Sequence, residues 1–237
     1  MIATLRRLLL VGAAAISLSS PGLAQVSADI SKAMSEGLAA YRRADYPEVV
    51  RWFRLAADQG NADAQSMLGS LHKTGKGVPQ NDVEALRWFR LAADQGNAFA
   101  QGNLGIMYKT GTGVPQNYAE ALRWFRLAAD QGEMLSQSSL GYMYDNGQGV
   151  PENDADANRW YRLAADQGEA KAQSMLGLNY ILGEGVPQNY IEGYKWLNLA
   201  AAQGEAEAAK ARDLLLAEMT PAQIAEGQRL SAEWKAK

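Results

Sequence analysis

The stretch 70–80, SLHKTGKGVPQ, sets Ser70 and Lys73 in the spacing S-x-x-K. Lys73, Thr74 and Gly75 spell K-T-G, and Asp145-Asn146 adds a partial S-D-N. These triplets mark serine enzymes that open β-lactam and peptidoglycan amides. Such chemistry needs a nucleophilic serine, a base to take its proton and donors to hold the oxyanion. The two motifs must then stand on separate walls of one pocket. Their overlap at Lys73 places them on one short strip of chain, which cannot form both walls. Thiol catalysis and cysteine–zinc sites are excluded, because the chain has no cysteine. His72 is the single histidine. The segment ENDADAN, 152–158, offers Asp154, Asp156 and Asn158 at calcium-loop spacing, but Arg159 stands where that loop needs glycine and Ala165 where it needs glutamate. No catalytic, cofactor-binding or metal-binding residue is therefore assigned.

The elements that carry these residues repeat. Trp52, Trp88, Trp124, Trp160 and Trp196 stand 36 residues apart, as do Gly60, Gly96, Gly132, Gly168 and Gly204. Val-Pro pairs at 78–79, 114–115, 150–151 and 186–187 keep the same step, and RWFRLAADQG occurs three times unchanged. Such a period signals stacked supersecondary units. In 97–132, Ala100, Leu104, Met107 and Tyr108 share one helical face. TGTGVPQ interrupts that helix. A second helix follows, with Asn117 as its N-cap and Glu120 as the expected reciprocal partner of a capping box. Arg126 and Asp130 have the spacing of an outer-face ion pair, and Gly132 the place of a C′ terminator. Gly69, Gly105, Gly141 and Gly177 fall mid-helix, at a cost of about 1 kcal/mol each against alanine. A repeated cost predicts a repeated benefit, close helix–helix approach.

One hairpin cannot bury its own apolar face, and stacking does so. The expected fold is all-α: a right-handed α-solenoid of stacked antiparallel helix hairpins. The expected units are a capping hairpin over 25–60, four repeats (61–96, 97–132, 133–168 and 169–204) and capping helices over 205–237. Thr220, Pro221 and Gln223 open the last helix as N-cap, N1 and N3. Residues 1–24 read as a secretory signal peptide. Arg6 and Arg7 precede an apolar run from Leu8 to Leu18, then Ser19, Ser20, Pro21 and Gly22, with Gly22 and Ala24 placed for cleavage before Gln25. The run is too short to span a bilayer. A periplasmic or secreted bacterial protein, monomeric and without a membrane anchor after cleavage, is expected. The net charge of −3 supplies no basic footprint for nucleic acid.

The pattern AxxxLGxMYxxGxGVPQNYxEALRWFRLAADQG resembles the Sel-one-like repeat, a relative of the tetratricopeptide repeat with a longer loop between its helices. The first hairpin resembles a tetratricopeptide unit. The resemblance implies an adaptor or scaffold in signalling or envelope assembly. Cysteine-rich exported members have been linked to β-lactam binding or hydrolysis; this chain lacks those cysteines.

In tetratricopeptide-like stacks the first helix of each unit lines the concave side. Positions 99, 102, 106 and 109 share one arc opposite Leu104. The four units read there Asp63-Ser66-Ser70-Lys73, Phe99-Gly102-Ile106-Lys109, Leu135-Ser138-Tyr142-Asp145 and Lys171-Ser174-Leu178-Ile181. Phe99, Ile106, Lys109, Leu135, Tyr142 and Asp145 form the candidate partner-binding patch, for a protein or peptide. Inter-repeat packing is the competing reading, strongest for Ile106 and Tyr142. A peptidoglycan- or β-lactam-acting hydrolase and a glycan-binding module are the alternative functions.

Overall fold

The computed structural model describes residues 21–236. The arginines and apolar run of the expected signal peptide lie outside them. The helices are α1 (Pro21–Arg42), α2 (Tyr46–Asp58), α3 (Ala62–Thr74), α4 (Asp82–Asp94), α5 (Ala98–Thr110), α6 (Tyr118–Asp130), α7 (Met134–Asp145), α8 (Asp154–Asp166), α9 (Ala170–Leu182), α10 (Tyr190–Ala202), α11 (Ala206–Leu215) and α12 (Pro221–Glu233). A 3-10 turn, Leu216–Glu218, precedes α12. Among the described residues there is no strand, and no helix is long and apolar enough to cross a membrane.

From α1 to α11 each helix packs on the next, and α12 packs back on α10, so the chain forms an α-solenoid. The first helices also approach one another, α3 on α5, α5 on α7 and α7 on α9. The second helices α4, α6 and α8 make no comparable approach. Unequal spacing of the two layers curves the stack, with the first helices on the inner side. Each second helix ends alike. The Gly132 N–H donates to the Ala129 carbonyl and the Glu133 N–H to the Ala128 carbonyl, with Gly132 at φ 87°. This is the Schellman arrangement, in which a left-handed residue suits glycine.

The mid-helix glycines are close-approach points. A Cβ on Gly105 would lie 2.5 Å from Phe125 Cδ1, and one on Gly141 2.5 Å from Tyr161 Cδ1. The aromatic rings of the second helices therefore seat against bare backbone of the first.

Two expected contacts form differently. Asn117 Oδ1 accepts from the Glu120 N–H, but Glu120 does not complete a box; it pairs with Arg123. The Asn117 N–H is already taken, donating to the Tyr108 carbonyl across the loop. The reciprocal box forms at Thr220 and Gln223, where the chain leaves the repeat. Arg126 also turns away from Asp130. Its guanidinium donates to the Tyr144 hydroxyl at 2.5 Å and lies 4.9 Å over the Trp160 ring, both in the following unit. An exposed i, i+4 pair contributes only a few tenths of a kcal/mol, less than a part-buried charged hydrogen bond with a ring beneath it. Arg90 and Arg162 repeat this junction, on Tyr108 and Trp124 and on Tyr180 and Trp196.

Candidate functional site

The inner helices α5, α7 and α9 place the candidate residues side by side. Phe99 and Leu135 are 52% and 54% exposed, on adjacent helices. Asp63 and Lys171, their counterparts in the outer units, are exposed and charged. Ile106 and Tyr142 retain about a third or more of their surface, so packing between units covers them only in part. Phe99 meets the buried Phe89 edge-on at 6.5 Å, which steadies the ring from beneath.

One position of the predicted arc is not surface. Gly102 is buried, like Ser66 and Ser174, because it faces the next inner helix. A Cβ there would stand 2.8 Å from Ser136 Oγ. The reading of four outward positions is therefore corrected to three in those units, whereas Ser138 in the third unit stays half-buried and reaches the groove. With Gly102 lacking a side chain, a small slot opens between Phe99, Ile106, Leu135 and Ser139.

A larger hollow of about 410 Å³ adjoins it, sharing Ser139 and lined by Lys109, Ser138, Tyr142, Tyr161 and Lys171. Lys109 Nζ lies 4.0 Å over the Tyr142 ring. Burial first, and the Lys171 charge second, hold the Lys109 ammonium below the usual lysine range. Asp145 is partly buried at the edge of this site and accepts from the Tyr161 hydroxyl at 3.4 Å. Burial, then the Asp154 carboxylate, raise Asp145 above the ordinary carboxylate range, and the bond from Tyr161 opposes them. Burial also pushes Tyr161 up, further than the adjacent Asp145 does.

The residues of the opening motif are occupied otherwise. Ser70 Oγ donates to the Ser66 carbonyl, and Lys73 Nζ to Asn103 Oδ1 on α5. His72 is 9% exposed, and neither ring nitrogen has a hydrogen-bond partner among the described residues. Asn158 is likewise turned inward. It donates to the Glu184 carbonyl and accepts from Asn179, rather than joining Asp154 and Asp156 in a loop.

Sequence reasoning missed a buried amide ladder beneath the groove. Gln101 donates to the Ala93 carbonyl of the preceding unit and accepts from Gln131, the C-cap of its own unit. Gln65, Gln137 and Gln173 do the same with their neighbours. The 36-residue recurrence of these glutamines was the available signal. A polar residue recurring inside an apolar face needs a buried partner.

The chain matches the family described as Sel1 repeat over residues 33–61, 62–97, 98–133, 135–169 and 170–205. Among curated proteins none matches. A protective antigen of uropathogenic Escherichia coli with an SLR fold is 33% identical, with a TM-score of 0.75 over 90% of this chain. This chain spans 46% of that protein's length. A Sel1 repeat protein from Oxalobacter formigenes is 30% identical, with a TM-score of 0.72 over 84% of this chain and 83% of its own. A Klebsiella pneumoniae protein titled a sel1 repeat protein, 22% identical over 81% of this chain and 95% of its own with a TM-score of 0.53, shares the fold. On these matches the chain belongs to the Sel1 repeat family, whose scaffold fold commonly mediates protein–protein interaction.

Proposed function

We propose that the protein is an exported scaffold that binds a protein or peptide partner in its inner groove, in envelope signalling or assembly, and that it is not an enzyme. One observation carries the reading. Phe99, Ile106, Leu135 and Tyr142 present apolar surface on adjacent inner helices, whereas the outer units carry Asp63 and Lys171 at the matching exposed positions. A rigid solenoid keeps such a patch open, since the curvature is set by helix–helix packing and not by the patch itself. Contiguous exposed apolar patches mark interaction sites, whereas singly exposed apolar side chains are ordinary surface. The expected export signal supports a place outside the cytoplasm, and the chain's acidity supports a partner other than nucleic acid.

The variant Phe99→Asp tests the reading. It installs the residue type found at Asp63 in an outer unit, so the fold is retained. Photo-crosslinking from position 135 in intact cells, followed by mass spectrometry, is expected to yield a discrete partner with the wild-type neighbour Phe99 and not with Phe99→Asp. Equal capture by both would sink the groove. N-terminal sequencing of exported protein is expected to begin at Gln25. A glycan-binding module would instead be retained on purified peptidoglycan through Tyr142 and Phe99. The hydrolase reading requires turnover of a chromogenic β-lactam that is lost in Ser70→Ala.

A further inference from the structure

The groove reading leaves open which chemistry the partner presents, and the two adjoining hollows answer it differently at their two ends. At one end the slot between Phe99, Ile106 and Leu135 is walled mostly by carbon; Asn103, Ser136, Ser139 and Glu133 also line it, the Glu133 carboxylate accepting from the Leu135 and Ser136 N–H groups. It exists because Gly102 stands where other units have Ser66, Ser138 and Ser174. The facing position changes in concert. At two other junctions serine meets alanine, Ser66 with Ala100 and Ser138 with Ala172, whereas Gly102 faces Ser136.

At the other end Lys109 and Lys171 border one hollow, close enough that the Lys171 charge acts on Lys109. Among the described residues neither lysine pairs with a carboxylate. The equivalent Lys73 is satisfied by Asn103, and the equivalents in the next two units are Asp145 and Ile181. The paired cations therefore occur at one place in the array, between α5 and α9. The acids beside the hollow are committed elsewhere. Glu169 accepts from the Ala172 N–H and from Ser138 Oγ, and Asp145 accepts from Tyr161. Ser139, shared by both hollows, has no side-chain hydrogen bond and can donate to an incoming oxygen. In a chain of net charge −3, two ammonium groups that lie in no ion pair and sit beside a largely apolar slot favour an anion attached to an apolar neighbour.

Resting on the peptide-groove reading, we propose that the groove takes an extended partner segment whose apolar side chain seats between Phe99, Ile106 and Leu135 and whose carboxylate seats between Lys109 and Lys171. That carboxylate is an Asp or Glu side chain, as an extended segment running along the groove presents it; a chain end is the competing outcome, and finding it would overturn this assignment. A random nonapeptide library is made twice, with free and with amidated C-termini, and offered to immobilised full-length protein. Two variants accompany the wild type. Lys109→Met with Lys171→Met removes the charges and keeps the stems. Gly102→Ser with Ser136→Ala converts the slot to the serine–alanine junction found elsewhere in the chain, so it folds while the slot closes.

The side-chain assignment predicts about threefold or greater enrichment of Asp and Glu among retained amidated peptides. About tenfold more retention of the free-acid library, without that enrichment, marks a chain end and overturns the assignment. The acid enrichment is expected to disappear in the methionine variant, and selection for apolar residues to disappear in the serine–alanine variant. Peptides retained without acid enrichment, and equally from both libraries, overturn the carboxylate inference and leave the groove reading intact. No retention above a bead control by the wild type overturns both.

Discussion

His72→Tyr tests the junction logic directly. Three junctions join units through an arginine that donates to a tyrosine hydroxyl and covers a tryptophan ring: Arg90 with Tyr108 and Trp124, Arg126 with Tyr144 and Trp160, Arg162 with Tyr180 and Trp196. At the first junction Arg54 already lies 4.8 Å over Trp88, but His72 stands in the tyrosine's place with both ring nitrogens buried and unpartnered. Tyrosine would supply the missing acceptor to a guanidinium that is already in position. It would also remove a polar ring that has left water without replacement bonds. A hydrogen bond to a charged group contributes about 1.5–3 kcal/mol net, and the larger ring must still be fitted, so a gain of about 1–2 kcal/mol is expected. For a chain of this size that is a rise of roughly 2–8 °C in Tm.

The gain must also depend on pH. Burial, the largest influence, holds the His72 pKa below its ordinary value; the Glu84 charge opposes this and the Arg54 charge adds to it. The folded state therefore resists protonation. Wild-type stability is intact above the unfolded pKa of about 6.5 and falls as pH drops from there toward the folded value. Tyrosine does not titrate in that window. Urea unfolding followed by helical circular dichroism at pH 7.5 and pH 5.5 is expected to show His72→Tyr ahead at both, by more at pH 5.5. Adding Arg54→Ala should cancel the pH 7.5 gain in a double-mutant cycle. A His72→Tyr protein that is less stable than wild type, or that keeps its gain without Arg54, refutes the reasoning.

Two further outcomes follow from packing and charge. Gly105→Ala should destabilise by about 1–2 kcal/mol, since the overlap of its Cβ with Phe125 outweighs a helix-propensity gain of about 1 kcal/mol. Pairing it with Phe125→Leu, the residue type found at Leu197 opposite Gly177, should recover part of the loss as a favourable coupling in the same urea assay. Asp145→Asn should be more stable than wild type at pH 7. The raised Asp145 pKa means that the ionised form costs the folded state, a cost absent below the unfolded pKa of about 3.9 and developed as pH rises through the folded value. The advantage should therefore vanish near pH 4, as read by unfolding across that range.

Much of the scaffold was legible because its signals are local or periodic. Asn117 caps its helix through a bond spanning three residues. Gly132 terminates by a backbone conformation, and the glycines at 69, 105, 141 and 177 announced a close approach that the rings of Phe89, Phe125 and Tyr161 and the side chain of Leu197 make. The errors arose where a residue had two partners in reach. Arg126 had Asp130 on its own helix and Tyr144 in the next unit, and helical spacing alone ranks the first higher. Glu120 had an N-cap N–H and Arg123, and only the fold shows that the Tyr108 carbonyl of α5, across the loop, had already taken that N–H. The candidate site was legible as a list of side chains and not as surface. Gly102 looked like Phe99 and Ile106 by angle, yet the next inner helix covers it.

The sequence by itself determined the repeat, the helix pairs, the caps and the family, because a 36-residue recurrence of tryptophan, glycine and Val-Pro is written in order along one chain. It also showed that SLHKTGKGVPQ is a loop-bearing unit, since its serine aligns with Ile106, Tyr142 and Leu178 and its lysine with Lys109, Asp145 and Ile181. Tertiary structure decided what faces what. It set Phe99 beside Leu135, brought Lys109 and Lys171 from α5 and α9 to one hollow, and left His72 buried without a partner. Those relations depend on the angle and spacing at which successive hairpins stack. That geometry comes from the summed packing of rings against glycine backbone, so no single stretch of sequence states it.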